Sequence, residues 1–380
     1  MKAFFTVKQN LLSVAIVALL HVNLPTFVKA EVVIQPSGAA QVALVEKIDP
    51  EVLRTEGEAL VYAIDPALRD VGNGMDLLEQ SAAAGNVKAM LSLGSLYLYG
   101  AAIPRNRARA LTYFEQAAAA GDASGLAQYG MMLMWSEADW SHAQKILVRA
   151  GETGDAGAWA TLAEGAMYGY LGGGRYSRAK FDGFAEKARA AGNTRIEVLD
   201  AKRQMWGISM RADGPAAVAK LRAAADKGNV EAAKYLISIL RDGNDMNIAR
   251  DRAAATEAVG HYSNLLTKTE IWQYNLSIDA ALASNKSSYT SITAEITAHP
   301  EWITTPLAVE VQKANPRVAM YVLQQRLKAK GLYHGPVDGL AGKKTLRAMH
   351  SACDGLWDRS GCDDNVLRPA VVAALISMTR

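Results

Sequence analysis

The stretch LGSLYLYG at residues 93–100, followed by ARALTYFEQAAAAG at residues 108–121, decides the fold of this chain. Apolar side chains recur every three or four positions in both segments, which is the spacing of one face of an α-helix. Glycine closes each segment, as expected where a helix ends in a left-handed residue. The stretch therefore predicts two antiparallel helices that pack their apolar faces against each other.

Related segments recur along the middle of the chain. Each is an alanine-rich tract that ends in glycine, and the closing glycines are 36, 33, 38 and 36 residues apart: Gly85, Gly121, Gly154, Gly192 and Gly228. Periods of this length are typical of helical-hairpin repeats. One hairpin cannot bury both of its apolar stripes, whereas stacked hairpins share a continuous core. We therefore predict an all-α fold, an α-solenoid of stacked helical hairpins with a small helical C-terminal module.

Small residues occupy fixed positions within these repeats. The residue four before each closing glycine is Ser or Ala, and the residue nine after it is Gly or Ala in four of the five repeats. Small side chains let two helix backbones approach closely, so we assign a set of these positions, with four closing glycines, to repeat packing. The set is Gly94, Ala117, Gly121, Gly130, Ala150, Gly154, Ala188, Gly192, Ala224 and Gly228.

The quoted stretch resembles the Sel1-like repeat, a helical hairpin related to the tetratricopeptide repeat. The shared pattern is a Leu-Gly pair, a Tyr-x-x-Gly end to the first helix, and an aromatic residue ahead of the alanines and the closing glycine. The resemblance covers residues 61–260 and is strongest in the quoted stretch. Proteins of this family serve as adaptors, so the resemblance implies protein partners, and a fold of this kind implies no reaction.

A different pattern begins near Asn315, where the sequence VLQQRLKAKGLYHGPVDGLAGKKTLRAM occupies residues 322–349. An apolar stripe predicts one helix that ends at Gly331, and a second helix is expected from about Lys343. Between them, Gly-Pro and Asp-Gly pairs predict tight turns. Residues 315–380 are therefore interpreted as a small helical module.

This segment resembles the small peptidoglycan-binding domain of cell-wall enzymes and envelope proteins, through its Leu-Gln pair at 323–324, its Val-Asp-Gly turn at 337–339 and Thr345. The sequence departs from the family pattern after Ala348, where a Phe-Gln tail is usual. The resemblance implies turn-shaping roles for Gly335, Gly339, Gly342 and Thr345. It also implies peptidoglycan contacts by Tyr333, His334, Asp338 and Arg347, with Tyr333 and His334 at the loop tip.

Cys353 and Cys362 are the two cysteines of the chain. In an exported protein the expected state is a disulfide between them. The nearby His350 leaves two alternatives, a Cys/His nucleophile pair or a metal site with His334 and Cys362. Neither has a supporting signature spacing, and an oxidising compartment would consume both thiols. We therefore predict a disulfide and no metal site.

The first thirty residues predict export. Lys2 and Lys8 precede an apolar run at residues 11–20, and Ala30 offers a cleavage site, so residues 1–30 are interpreted as a signal peptide. The apolar run is too short to span a bilayer comfortably. The expected location is the periplasm, although two formal glycosylation sequons leave eukaryotic secretion open.

The charge balance argues against nucleic-acid binding. Removing the three lysines of the predicted leader lowers Lys+Arg from 41 to 38, which equals Asp+Glu at 38. A mature chain without net charge lacks the basic field that nucleic-acid binding requires. Residues 316–380, in contrast, hold ten Lys+Arg and five Asp, a local balance of +5. This basic character suits the carboxylates of wall peptides, and a solvated basic surface is the alternative.

The remaining segments carry no recognisable chemistry. Residues 31–60 are interpreted as an N-terminal leader or capping segment, and residues 261–314 as a helical capping and connecting region. Motifs of metalloproteases, serine hydrolases and cysteine transpeptidases are absent from the sequence. We therefore expect no enzyme, no catalytic residues and no cofactor.

The expected function is a periplasmic scaffold. The repeats would bind protein partners of an envelope complex, and the C-terminal module would tether the protein to peptidoglycan. Support of exopolysaccharide synthesis or secretion is one role that fits. Two alternatives remain open: a regulator of a sensor kinase or a polar-localisation factor, and an accessory or enzyme of cell-wall or polysaccharide processing.

Overall fold

The computed structural model describes residues 30–33, 43–46, 48–63, 67–100, 103–136, 139–172, 174–300, 304–356 and 360–378. The chain divides into two compact units, residues 1–86 and 87–380. Apart from one two-stranded sheet, the regular structure of the described residues is helical. None of the described helices combines the length and the apolar character needed to cross a membrane. The predicted signal peptide lies outside the described residues, except for Ala30.

The first unit contains a short sheet and one helical hairpin. Strands β1 (Ala30–Val33) and β2 (Ala43–Glu46) pair antiparallel. Helix α1 (Pro50–Tyr62) packs against helix α2 (Val71–Ala83). Asp49 caps the first helix by accepting a hydrogen bond from the Glu51 N–H at 2.8 Å.

This hairpin begins before the predicted repeat boundary at residue 61. Gly57 and Gly74 face each other across it, and a Cβ atom on Gly57 would lie 2.8 Å from the Gly74 carbonyl oxygen. The missing side chains allow the two backbones to come this close. Residues 50–60, interpreted from the sequence as part of a leader, therefore form the first helix of a hairpin. The sequence signal was missed because no closing glycine precedes Asp49.

The second unit begins with five helical hairpins, and each first helix packs against its own second helix. The predicted all-α solenoid is thus confirmed. The pairs are α3 (Val87–Tyr99) with α4 (Arg107–Ala119), α5 (Ala123–Trp135) with α6 (Trp140–Glu152), α7 (Ala156–Met167) with α8 (Arg178–Ala190), α9 (Arg195–Trp206) with α10 (Gly214–Asp226), and α11 (Val230–Asp242) with α12 (Arg252–His261).

Polar residues fix where these helices begin. Asp122 follows a closing glycine, and its carboxylate accepts a hydrogen bond from the Gly125 N–H at 2.8 Å. Side chains of the same kind cap most of the other helices in the five pairs: Asn106, Asp139, Asp155, Ser177, Asp213, Asn229 and Asp251. These caps satisfy backbone N–H groups that have no partner within the helix.

The predicted packing residues lie between the paired helices. A Cβ atom on Gly94 would sit 2.5 Å from the Phe114 ring, and one on Gly130 would sit 2.8 Å from Leu147. The phased alanines are buried as well: Ala117, Ala150, Ala188 and Ala224. Close packing of this kind leaves no room for larger side chains.

The closing glycines have a different role from these packing residues. Gly121, Gly154, Gly192 and Gly228 have φ angles from +74° to +115°. A Cβ atom at any of them would meet nothing within 4 Å. They are therefore required by the left-handed backbone that ends each second helix, and not by contact with a neighbouring helix.

The second unit ends in seven further helices. They are α13 (Lys268–Leu282), α14 (Lys286–Ala298), α15 (Thr305–Ala314), α16 (Pro316–Ala329), α17 (Lys343–Cys353), α18 (Ser360–Asn365) and α19 (Pro369–Met378). One hydrophobic core runs from Leu276 to Ile376, and α15 packs directly on α19. The predicted boundary at residue 315 therefore does not separate two cores, because the connecting region and the C-terminal module bury their apolar residues together.

Asn315 joins the two sides of that predicted boundary. Its Nδ2 donates hydrogen bonds to the carbonyl oxygens of Ala280 and Ala283 at 3.0 and 2.9 Å. Its Oδ1 accepts a hydrogen bond from the Arg317 N–H at 3.1 Å. One side chain thus starts α16 and fastens it to the end of α13.

Candidate functional site

The C-terminal module is organised around a buried glutamine. Gln324 lies on α16 and is fully buried. Its Oε1 accepts hydrogen bonds from the N–H groups of Asp338 and Gly339 at 3.0 and 2.8 Å. Its Nε2 lies 2.9 Å from the Leu340 carbonyl oxygen and 3.0 Å from Asp338 Oδ1. A single side chain therefore accepts hydrogen bonds from N–H groups of the Val-Asp-Gly turn and donates to oxygen atoms at the same turn.

The turn itself depends on Gly339 and Asp338. Gly339 has a φ of +75°, and a Cβ atom there would lie 2.6 Å from the Arg317 carbonyl oxygen. Asp338 accepts a hydrogen bond from the Leu340 N–H at 2.9 Å. This backbone N–H, followed by the Gln324 amide, holds the pKa of the Asp338 carboxyl below its usual range. The carboxylate of Asp338 is thus already engaged in shaping the turn.

Tyr333 does not lie at the loop tip, as the sequence analysis expected. Its side chain is 3% exposed, and its hydroxyl donates a hydrogen bond to the Pro336 carbonyl oxygen at 2.7 Å. The ring packs against Gly335, where a Cβ atom would collide with it. Stacking of this ring on a ligand is excluded in this arrangement, because both the ring and the hydroxyl are used within the module.

The other predicted turn residues take distinct positions. Thr345 is buried, and its hydroxyl donates to the Leu340 carbonyl oxygen at 3.1 Å. Gly342 precedes α17 as its N-cap without a side-chain hydrogen bond. Thr345 thus lies in α17 and bonds back to the turn that precedes this helix.

Three of the predicted contact residues, Tyr333, His334 and Arg347, line a groove on the surface of the module, and of these Tyr333 is buried. The groove has a volume of about 290 Å³, and His334, Lys344 and Arg347 border it with Ser351. The His334, Lys344 and Arg347 side chains are exposed. The lining includes no Asp or Glu, and within the described residues no carboxylate lies within ion-pair distance of Lys344 or Arg347. We name His334, Lys344 and Arg347 the cationic groove.

Cys353 and Cys362 form a disulfide, as predicted, and both are buried. The bond links the end of α17, the helix that carries Lys344 and Arg347, to α18. In the part of the chain that the structure describes, no group of three or more His, Cys, Asp or Glu side chains could hold a metal ion. Because both sulfur atoms are in the disulfide, neither the Cys/His nucleophile pair nor the metal site with Cys362 has a free thiol in this structure.

A second surface feature was missed by the sequence analysis. Exposed aromatic side chains stand at the end of four successive first helices of the second unit: Tyr99, Trp135, Tyr168 and Trp206. Each lies fourteen residues after a closing glycine, as 99 follows 85 and 206 follows 192. We name these four residues the aromatic row. Comparing the residues fourteen positions after each closing glycine would have revealed it in the sequence.

Comparison with known proteins places one repeat within a family. The family model of the Sel1 repeat matches residues 87–122, which form α3 and α4. The chain therefore contains a Sel1-like repeat at the hairpin that the sequence analysis took as its starting point. The comparison with curated proteins gave no match.

Solved structures of similar proteins include three bacterial examples. A Sel1 repeat protein from Oxalobacter formigenes is 21% identical, covers 57% of this chain and 89% of its own, and has a TM-score of 0.40. A protective antigen of uropathogenic Escherichia coli with an SLR fold is 16% identical, with 86% and 75% covered and a TM-score of 0.36. An immunity protein from Pseudomonas aeruginosa is 17% identical, with 57% and 81% covered and a TM-score of 0.39.

Proposed function

We propose that this protein is a non-enzymatic scaffold of the bacterial cell envelope. Its helical repeats bind partner proteins, and its cationic groove binds the carboxylates of peptidoglycan. Support for the first part comes from the Sel1-like repeat at residues 87–122 and the four further hairpins stacked beyond it. Stacked hairpins create extended surfaces on which other proteins can bind.

Export through the N-terminal leader is part of the proposal. The apolar run at residues 11–20 and the small residue Ala30 support cleavage before Glu31. The disulfide between Cys353 and Cys362 agrees with an oxidising compartment, because such bonds rarely persist in the cytosol. The periplasm is therefore the proposed location, and mass spectrometry of the mature protein should find Glu31 at its N-terminus.

The cationic groove is the observation that carries the proposed tether. Lys344 and Arg347 are exposed cations without a carboxylate partner in the described part of the chain, and His334 adds a third nitrogen donor beside them. A guanidinium can bind a carboxylate through two parallel hydrogen bonds. Peptide stems of the bacterial wall carry such carboxylates, so the groove offers the charge and the donors that they require.

The test is co-sedimentation of the protein with purified peptidoglycan sacculi. The whole mature chain is used, since the module shares its core with residues before 315. Wild-type protein should pellet with the sacculi, and the Lys344→Glu/Arg347→Glu double variant should remain in the supernatant. Added salt should weaken binding, because charge attraction between exposed groups is screened.

A matched control separates groove binding from general charge. Lys330→Glu reverses an exposed charge at the end of α16, outside the groove, and should pellet like wild type. Equal loss of binding in Lys330→Glu and the groove variant would contradict the proposal, as would a wild-type protein that stays in the supernatant at low salt.

A further inference from the structure

The aromatic row contains every exposed aromatic side chain that the structure describes in residues 87–380. Their exposed fractions run from 37% for Trp135 to 66% for Tyr99. Burial of such rings in a hydrophobic core stabilises a fold, so four of them exposed at one repeat position need a reason. The first unit follows the same rule, since Tyr62 ends α1 and is also exposed.

The members of the row are evenly placed along the repeats. Each first helix packs beside the next first helix, from α3 through α5 and α7 to α9. Packed helices lie about 8 to 10 Å apart, so neighbouring rings occur at roughly that interval. Trp135 and Tyr168 are connected by Tyr170, which meets Trp135 edge-on at a centroid distance of 4.9 Å. The row therefore lies on neighbouring first helices, and Tyr170 contacts both of its central rings.

Exposed arginines accompany the row. The loop that follows Tyr99 carries Arg105, and the loops that follow Tyr168 and Trp206 carry Arg175 and Arg211. All three arginines are exposed, and none has a carboxylate within ion-pair distance among the described residues. The Arg105 side chain packs against Gly100, directly beside Tyr99 in the chain. Three of the four repeats thus follow the ring with an exposed arginine that has no carboxylate partner among the described residues, and the Arg105 Nε–H donates a hydrogen bond to the Leu98 carbonyl oxygen at 3.0 Å.

The last repeat shows that the two features disappear together. Asp242 occupies the aromatic position there, and the corresponding loop arginine, Arg250, forms an ion pair with Asp245 at 3.2 Å. Where the ring is absent, the guanidinium is neutralised within the protein. The loop after Trp135 carries no arginine, so the arginines accompany three of the four rings, and both features end at α9.

A surface that presents an aromatic ring in each of four successive repeats, with an arginine after three of them, fits a ligand with a repeating unit. Helical-repeat proteins that bind RNA illustrate this principle, since one base is bound by each repeat. Tyr and Trp present flat apolar faces with a polar edge, which suits the C–H faces of sugar rings. The guanidinium of arginine can donate two parallel hydrogen bonds to a carboxylate.

We propose that the aromatic row and Arg105, Arg175 and Arg211 bind an acidic polysaccharide along the repeats. The inference rests on the proposed export of the scaffold and extends that function, since the repeats would then hold a glycan together with partner proteins. Individual contacts are weak, and several along one polymer combine into useful affinity.

The test measures binding of the purified mature protein to defined polymers by isothermal titration calorimetry. Polygalacturonate is the probe, and dextran, poly-L-glutamate and single-stranded DNA are compared with it. Polygalacturonate should bind most tightly. The Tyr99→Ala/Trp206→Ala variant and the Arg175→Glu/Arg211→Glu variant should each weaken its binding about tenfold or more.

Matched controls change similar groups away from the row. Lys220→Glu/Lys227→Glu reverses two exposed charges on and after α10, and Leu282→Ala removes an exposed apolar side chain from α13. Both should bind polygalacturonate like wild type. Thermal unfolding of every variant checks that loss of binding is not loss of folding.

Three results would overturn the inference. They are equal or tighter binding of poly-L-glutamate or DNA through the same residues, absence of binding to polygalacturonate, and binding that the row variants leave unchanged. Sedimentation with sacculi depends on the cationic groove and is measured separately. A failed glycan experiment with intact, groove-dependent sedimentation would therefore remove this inference and leave the proposed tether standing.

Discussion

Single small residues determine how closely the helices of a hairpin approach. Gly94 faces the Phe114 ring, and Gly57 faces Gly74 in the first unit. In contrast, Gly183 lies in the exposed face of α8 with nothing within 4 Å of its would-be Cβ. Glycines within these helices therefore divide into those required by packing and those that only weaken the helix.

Alanine substitutions at Gly94 and Gly183 should have opposite effects. Gly94→Ala forces a methyl group against Phe114 and should lower the free energy of unfolding by about 1 to 3 kcal/mol. Gly183→Ala adds helix propensity without a clash and should raise it by about 0.5 to 1 kcal/mol. Urea unfolding measures both, and a stabilised Gly94→Ala variant would contradict the assigned packing.

The residues that could be predicted from the sequence are those whose role is local. The sequence spacing identified Gly94 and Ala117 as packing residues, because small residues recur at the same position in successive hairpins. Tyr333 was misplaced for the opposite reason. Its burial depends on Gln324 and Gly335 closing a turn around it, and a linear pattern does not show on which side of a turn a ring will pack. The burial of Arg241 was missed because two of its partners, Ser277 and Glu310, are distant in sequence.

At the scale of elements, the C-terminal turn and the disulfide stabilise helices that are too short to bury much apolar surface. Helix α18 has only six residues, Ser360–Asn365, and depends on the bond from Cys362 to Cys353 at the end of α17. The cysteines are nine residues apart. A cross-link of that length removes conformational freedom from the unfolded chain.

Removal of the disulfide should destabilise the second unit measurably. The Cys353→Ser/Cys362→Ser variant should lose about 2 to 3 kcal/mol of unfolding free energy. A reducing agent should lower the melting temperature of the wild type and leave that of the variant unchanged. Equal sensitivity of both proteins to the reductant would show that the bond does not stabilise the fold.

Across the whole second unit, a buried arginine connects the last repeat to the C-terminal core. Arg241 on α11 is fully buried. Its guanidinium donates hydrogen bonds to Ser277 Oγ at 2.7 Å and to Glu310 Oε2 at 2.6 Å, and it also binds the neighbouring Asp242. Helices α11, α13 and α15 therefore meet at one ion cluster. Removal of the cation would leave two carboxylates facing each other.

Substitution of Arg241 should have a larger effect than any surface charge. Arg241→Met should lower the unfolding free energy by about 3 kcal/mol, since it removes the buried cation that Glu310 and Asp242 share. Lys313→Met removes an exposed partner of the same Glu310, 3.2 Å away, and should change stability by less than about 0.5 kcal/mol. Chemical denaturation of both variants makes the comparison, and equal effects would contradict the assigned role of Arg241.

The hydrogen bonds of Asn315 have a mechanical consequence. Because this side chain clamps α16 to α13 within one core, a load applied to the end module would pass into the hairpins through packed side chains and not through a slack tether. The module and the hairpins would then move together as one rigid arm. Under the proposed tether, the site of wall binding would set the direction in which the hairpins point, and tension in the wall would turn them.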